Sequence, residues 1–378
     1  MPRINVTRSS MPPIGEYFAE VAPLWESRWI TNAGERHREL EAALEKRLGV
    51  ADVCLFVNGH SALECAIEAL ELGSDGRDEV VTTPFTFAST THAIVRKGLK
   101  PVFADVRESD LTIDPDLLER AITPRTCAIL PVHVYGNLCD VGAIREVADR
   151  HGLKVIYDAA HAFGVERWDP AAGKWEGVAT YGDASMLSFH ATKVFNTIEG
   201  GAVCFGDPAL RGALERWRNF GIVDPESVEC VGGNAKMDEF RAAMGLCNLR
   251  HFDEEVAKRK DVAERYWSNL EGIAGAAALR PGEGVRPNYA YMPVLFDAEA
   301  FGSTRDEVFA VLAAEGFVAR KYFYPLVSDY ACYRDSYSSE STPIAKCAAE
   351  RVLCLPMYAD LALGDVDEVC RVIRGCAR

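Results

Sequence analysis

The sequence predicts an α/β fold: a mostly parallel central sheet with helices on both faces, followed by a smaller α+β C-terminal domain. Three observations predict it. From Arg36 to about residue 235, short and almost wholly apolar runs alternate with amphipathic helical segments, the pattern of strands buried on both faces. One long helical pattern then runs from Met237 to Glu271 with no proline. Beyond it, strands and helices mix without that alternation. The expected divisions are an N-terminal arm (1–34), a large domain (35–250) and a small C-terminal domain (251–378).

The elements follow in order. The first 30 residues read as irregular and aromatic-rich (Tyr17, Phe18, Trp25, Trp29), an arm for packing elsewhere on the protein. HRELEAALEKRL places Leu40, Leu44 and Leu48 on one helical face, and Gly49 stops it. The run VCLFV then meets Asn58-Gly59-His60. SALECAIEALEL follows as a helix with Leu63, Ile67 and Leu70 on one face. Strands are expected at 79–83, 101–105, 126–132, 153–158, 184–189 and 201–205, with helices at 114–122 and 139–152 between them. In the last third, a strand is expected at 289–296 and helices at 304–316 and 364–376.

Composition limits the function. Apolar residues make up 48% and charged residues 26% of the 378 residues, a globular balance. The net charge of −15 argues against nucleic acid or an anionic membrane as the main partner. The twelve cysteines contain no CxxC pair, so a zinc ribbon or a dithiol is not expected and no metal site is assigned. Cys127 and Cys354 sit in apolar runs as small hydrophobes. The first 13 residues lack an apolar h-region, and no run reaches the ~20 apolar residues of a membrane helix. A cytoplasmic protein with reduced thiols is expected.

In open α/β sheets, ligands bind beyond the carboxyl ends of the strands. Four such places carry chemistry. Asn58-Gly59-His60-Ser61 joins a strand to a helix, where free N–H groups can hold a phosphate, though an ordinary βα turn reads the same way. Phe85 and Phe87 follow the run at 79–83; either could stack on a flat ligand or fill the core. Asp158 ends a very apolar run, which is costly unless it is paired or hydrogen-bonded, the alternatives being a cationic ring nitrogen or a role as helix N-cap for the following segment. Lys193, in Ser188-Phe189-His190-Ala191-Thr192-Lys193, falls just past a strand, where desolvation would make it a nucleophile rather than a solvated charge. A nucleophile elbow fails because Leu63 stands where glycine is needed. No Walker motif occurs, and no GxGxxG follows a strand, which sets aside a nicotinamide oxidoreductase. A phosphate cradle, a stacking ring, an acid for a pyridinium nitrogen and a strand-end lysine together suit pyridoxal 5′-phosphate.

With these residues the sequence resembles the DegT/StrS-type nucleotide-sugar aminotransferases, pyridoxal-phosphate enzymes of the aspartate aminotransferase fold (fold type I). The resemblance runs from WITNAG (29–34) through PVHVYG (131–136), DAAHAFG (158–164) and SFHATK to GGNAKMDEFRAAMGL (232–246) and RKYFYPL (320–326). It implies that Lys193 is the Schiff-base lysine and proton shuttle. Asp158 would pair with the pyridinium nitrogen, and His161 would contact the ring's phenolic oxygen. Phe87 matches the stacking position better than Phe85. Gly59 and His60 N–H groups and Ser188 would hold the phosphate. Asn234 would reach it from a neighbouring subunit, which implies a homodimer with shared active sites. Asn32, His190 and Tyr322 match substrate-contacting loops. Two departures stand out: His60 replaces a threonine of the cradle, and Ile198-Glu199-Gly200-Gly201 replaces a glycine-led motif.

SFHATK is similar to the members that aminate C4 of the sugar, whereas Ser-Phe-Tyr-Pro-x-Lys marks those that aminate C3. The resemblance therefore implies a dTDP-linked 4-keto-6-deoxyglucose as substrate and L-glutamate as amino donor. The alternatives are a C3 aminotransferase, a UDP-sugar C4 aminotransferase, and a catalytically inactive regulatory or binding protein of the same fold.

Overall fold

The structure, a computed structural model, describes residues 4–378. Its strands are β1 (Asp52–Phe56), β2 (Glu79–Thr82), β3 (Lys100–Phe103), β4 (Thr126–Ile129), β5 (Lys154–Asp158), β6 (Glu166–Asp169), β7 (Lys174–Gly177), β8 (Ala184–Ser188), β9 (Gly201–Phe205), β10 (Ile222–Asp224), β11 (Ser227–Val228), β12 (Ala276–Ala278), β13 (Val285–Arg286), β14 (Met292–Phe296) and β15 (Val352–Leu355). Its α-helices are α1 (Ile14–Val21), α2 (Pro23–Ser27), α3 (Glu35–Leu48), α4 (Gly59–Ala69), α5 (Ala88–Arg96), α6 (Pro115–Ala121), α7 (Val141–His151), α8 (Ala209–Arg218), α9 (Glu239–Leu270), α10 (Ala298–Phe301), α11 (Arg305–Ala314), α12 (Pro343–Arg351) and α13 (Leu363–Gly375).

Seven strands form the central sheet in the order β1-β9-β8-β5-β4-β2-β3. Only β9 runs against its neighbours, β1 and β8; the pairs β8–β5, β5–β4, β4–β2 and β2–β3 are parallel. Alternate residues of β1 show why both faces are apolar. Cys54 and Phe56 pack on one side with Leu63 and Ile67 of α4, Ile94 of α5 and Leu214 of α8. Val53 and Leu55 pack on the other with Leu40 and Leu44 of α3 and Ala242 and Phe252 of α9. Leu118 of α6 and Ile144 and Val147 of α7 extend that second layer beneath Val81, Ile129 and Val155.

A second, three-stranded antiparallel sheet (β12-β14-β15) packs on the end of α9 and on α11 and α13, through Val262, Tyr266, Phe296, Leu312, Leu353 and Val369. The helix α9 crosses residue 250 without a break.

The structure corrects the reading of the first 30 residues as irregular: α1 and α2 lie there. Their order comes from packing, since Val21 and Leu24 close on Ala243 of α9 with Tyr17 and Phe240 beside them. Upstream, Ile4 bridges to Phe317 and Val6 accepts from the Met357 N–H, so the arm reaches the second sheet. Residues 1–3 of the expected arm lie outside the described residues. The strand expected at 289–296 begins only at Met292, because Tyr289 adopts φ 51°. The β6–β7 hairpin was not expected; it is short and half-exposed, without a clean apolar run.

Candidate active site

Since β1, β2, β5 and β8 point the same way, their carboxyl ends share one edge of the sheet. Asp158, the last residue of β5, is buried there. The Thr90 hydroxyl donates to its Oδ2 at 2.7 Å, and the Ala160 N–H donates to its Oδ1 at 3.1 Å. No helix starts at this point, so Asp158 is not a helix cap. Burial pushes its carboxyl above the ordinary range; the two hydrogen bonds and the charge of Lys193 pull it back in part. Thr86 in turn lies 2.8 Å from Thr90, oxygen to oxygen.

Lys193 follows β8, and its backbone is fixed by an N–H bond to the His190 carbonyl at 2.8 Å. Its side chain is half-buried. The amine lies 3.3 Å from the Tyr291 hydroxyl. Burial drives the amine down to about 8, while Asp158 opposes the shift. His161 is buried beside it, and the Tyr135 N–H donates to its Nδ1 at 3.0 Å. That bond leaves the proton of the neutral ring on Nε2. Burial, and then the charge of Lys193, hold His161 well below its usual range, so it is neutral. Asn288 fixes the turn by donating to the carbonyls of His161 and Phe163 at 2.9 and 3.0 Å.

The cradle lies at the start of α4. Asn58 caps the helix, accepting from the Ser61 N–H at 2.8 Å. The N–H groups of Gly59 and His60 are in the first turn, where the helical ladder offers no partner. A Cβ on Gly59 would sit 3.0 Å from the Ser188 Cβ and 3.1 Å from the Met186 Sδ. One on Gly201 would sit 2.5 Å from the Gly59 nitrogen. Glycine at these two positions lets the helix start lie directly on the end of β8, beside the half-buried Ser188. The His60 ring turns aside: Nδ1 is 2.9 Å from Ser89 Oγ, and Nε2 is 3.5 Å from Glu64.

The two phenylalanines separate clearly. Phe85 is fully buried and packs edge-on against Tyr135 and Phe323. Phe87 is 58% exposed at the start of α5. Tyr322 stands edge-on to Tyr291, 6.1 Å between ring centres. His190 is exposed, with Nδ1 2.8 Å from Thr192 Oγ1 and Nε2 3.5 Å from Glu199. Asn32 and Asn234 are exposed and not joined to Lys193 by any hydrogen bond among the described residues. Both border on Asn219: Asn234 bridges to it, and Asn32 lines a groove with it and Lys236.

Sequence reasoning passed over Thr90, Tyr135, Asn288 and Tyr291 as site residues. Thr90 carried a faint signal, a hydroxyl that closes the Thr86-Phe87-Ala88-Ser89-Thr90 motif. Tyr291 and Asn288 come from the last third of the chain, and no local pattern points them at Lys193.

The DegT/DnrJ/EryC1/StrS aminotransferase family matches residues 14–374. A dTDP-4-amino-4,6-dideoxy-D-glucose transaminase of Shigella dysenteriae is 41% identical over 371 residues, covering 98% of each chain. A protein of the same name from Escherichia coli is 39% identical over 377 residues, again with 98% of each chain covered. Among solved structures, DesI in the presence of its TDP-sugar product superposes with a TM-score of 0.92 at 33% identity, covering 100% of this chain and 93% of that one.

Proposed function

Because the chain belongs to the DegT/DnrJ/EryC1/StrS aminotransferase family, we propose that it transfers the amino group of L-glutamate to C4 of a dTDP-linked 4-keto-6-deoxyglucose. Its fold is fold type I of the pyridoxal-phosphate enzymes. It is a transaminase, and its cofactor is pyridoxal 5′-phosphate. One observation carries the reading: the adjacent parallel strands β5 and β8 end at the buried Asp158 and just before Lys193, on the edge of the sheet where α4 begins.

The residues fit that cofactor. Asp158 is a buried carboxylate with two hydrogen-bond donors and no ion-pair partner among the described residues, a place that favours a protonated ring nitrogen. The N–H groups of Gly59 and His60 and the Ser188 hydroxyl would hold the phosphate. Phe87 would cover one face of the ring, and the Nε2–H of His161 would meet the phenolic oxygen. When bound, the cofactor withdraws electrons from the carbon that carries the amine.

The chain moves the protons. As free base, Lys193 would accept the proton from the amine-bearing carbon of glutamate and give it back two atoms further along, on the far side of the nitrogen. In the second half-reaction it works in the reverse direction at C4 of the sugar. Asp158 would keep the ring nitrogen protonated. His161 would donate from Nε2 without ionising, because its Nδ1 accepts from the Tyr135 N–H. The rings of Tyr135, Tyr291, Tyr322 and Phe323 pack together on one side of the site.

Asn32, His190 and Tyr322 are proposed to contact the sugar nucleotide, and Asn234 to reach the phosphate held by a second copy. Exposed apolar residues, Phe18, Trp25, Trp29, Ile222 and Val231 among them, support such a homodimer. We read residues 1–34 as the arm, 35–250 as the cofactor-binding domain and 251–378 as the small domain. No helix among the described residues is long and apolar enough to cross a membrane. All twelve cysteines are free, which supports a cytoplasmic setting.

The test is an absorbance spectrum of the protein loaded with pyridoxal phosphate. The expected result is a visible band that bleaches with L-glutamate and returns with dTDP-4-keto-6-deoxyglucose, the product carrying nitrogen at C4 by NMR. A band that bleaches but returns only with a 3-keto or UDP-linked sugar would replace the substrate. A band that never bleaches would leave a binding protein.

A further inference from the structure

The Tyr291 hydroxyl has one hydrogen-bond partner among the described residues, the amine of Lys193 at 3.3 Å. The ring is held on every side. It lies 4.7 Å from His161, 5.6 Å from Tyr135 and 6.1 Å from Tyr322, centre to centre. It sits one residue before β14, so it comes from the second sheet and not from the edge that carries Lys193. A phenol is both donor and acceptor. If the amine is protonated, the phenol oxygen accepts from it, and the proton of this half-buried phenol has no other partner among the described residues. If the amine is free, the O–H donates to the nitrogen lone pair and both groups are satisfied. Leaving a half-buried donor without a protein partner carries a penalty, so the pair favours the free amine.

We infer that Tyr291 is a further positioning residue of the active site, one that biases Lys193 toward the free amine by donating its hydroxyl proton to Nζ when the lysine is not bonded to the cofactor. The inference rests on the role proposed above for Lys193. The titratable groups that face this pair are Asp158 from β5, which favours the ammonium, the neutral His161, Tyr135, Tyr322, the buried Cys354 of β15, and the buried Arg259 of α9, whose charge reaches Tyr291. Burial keeps the Tyr291 phenol protonated far above neutral pH, so its proton is available throughout the working range. Lys193, driven down to about 8, is already near the point where one hydrogen bond decides its state.

The test uses Tyr291→Phe, which removes only the hydroxyl. Cofactor-free wild type and variant are labelled with an acylating reagent across pH, and modification of each lysine is read by mass spectrometry. The midpoint for Lys193 should move up by about one pH unit, a roughly tenfold loss of reactivity at neutral pH. The exposed Lys154 should not move and reports that the fold is intact. In the loaded enzyme, kcat should fall about tenfold at pH 7 with KM for glutamate unchanged, and recover toward pH 9, which a merely structural defect would not do. A Lys193 midpoint that is unchanged or lower, with Lys154 normal, overturns the inference. If Lys154 shifts as well, Tyr291→His, which keeps a ring donor, should restore the wild-type Lys193 midpoint; failure to do so also overturns it. The labelling needs no cofactor, so an upward shift with no visible band on loading would sink the aminotransferase reading and leave the hydrogen bond standing.

Discussion

Asp158→Asn separates chemistry from structure. The carboxylate accepts from Thr90 and Ala160. In the amide, Oδ1 still accepts from Ala160, while the NH₂ group faces the Thr90 oxygen. Thr90 can then turn its proton toward Thr86, 2.8 Å away, so every group keeps a partner. Burial already raises the Asp158 carboxyl, which means the folded state binds its proton more tightly than the unfolded chain does. That penalty on the native state is absent at pH below the unfolded value and grows as pH rises through it. A neutral amide escapes it. The cofactor-free variant should therefore melt at or slightly above wild type at pH 7.5, with the difference vanishing near pH 4. Turnover should respond differently. A carboxylate and a cation at about 3 Å, with an effective dielectric near 20, attract by about 5 kcal/mol. Allowing for the hydrogen bond the amide can still make, about 3–4 kcal/mol is lost, a fall in kcat of about 10² to 10³-fold. Thermal melts of the cofactor-free protein at both pH values, beside kcat, decide it. A neutral-pH melting temperature several degrees below wild type, or a kcat within tenfold of it, would refute the argument.

Lys193→Met should abolish turnover yet stabilise the cofactor-free protein at pH 7. The amine is lowered to about 8 in the fold, so the unfolded chain binds more protons between about 8 and 10.5, and wild-type stability rises with pH across that window; melts at pH 7 and 10.5 should differ by about 1–3 kcal/mol less at the higher pH. Thr90→Val should leave Asp158 short of a donor, costing about 1–3 kcal/mol in denaturant unfolding and raising the acid limb of the pH–rate profile. Gly201→Ala should destabilise by about 3 kcal/mol, since its Cβ would meet the Gly59 nitrogen at 2.5 Å, and an unchanged urea midpoint would show that the backbone can yield there. Lys193→Ala and Asn234→Ala, each inactive or impaired alone, should regain activity when refolded together, because one site of the mixed dimer keeps both side chains; no regain would place Asn234 outside the partner's site.

How far the fold could be read ahead follows from burial. Strands buried on both faces, such as β1 and β5, announced themselves as apolar runs. The parts that were missed owe their order to contacts between distant segments: α1 to Ala243 of α9, the β6–β7 hairpin to its pairing with β13. The antiparallel course of β9 was equally hidden, since GAVCF is as apolar as its parallel neighbours and carries no mark of direction. At the site, residues that end a strand and carry charge were visible, Asp158 and Lys193 above all, because such groups are out of place unless used. Phe85 and Phe87 could be told apart only by register in the motif; the structure separates them by burial. Tyr291 and Asn288 could not be seen, because a tyrosine or asparagine before a strand is ordinary until something distant is placed against it.

The same site is locally unfavourable. Asp158 is buried without an ion pair among the described residues, Lys193 is lowered by desolvation, and the first turn of α4 presents N–H groups that the helix cannot satisfy. None of these is removed by a neighbouring side chain, although Thr90, Ala160 and Tyr291 soften them. What would remove all three together is one ligand with a cationic ring at one end, an anionic phosphate at the other and an electrophilic carbon between them. The rigid parts, the ends of β5 and β8 and the start of α4, fix those three positions independently of one another. A ligand of that kind relieves each penalty on the native state and has no such site in the unfolded chain, so binding and folding must be linked. The fold thus holds its charged groups in a state that is fully stabilised only when the cofactor is in place, beside a reaction that needs one free amine and one ionised acid side by side.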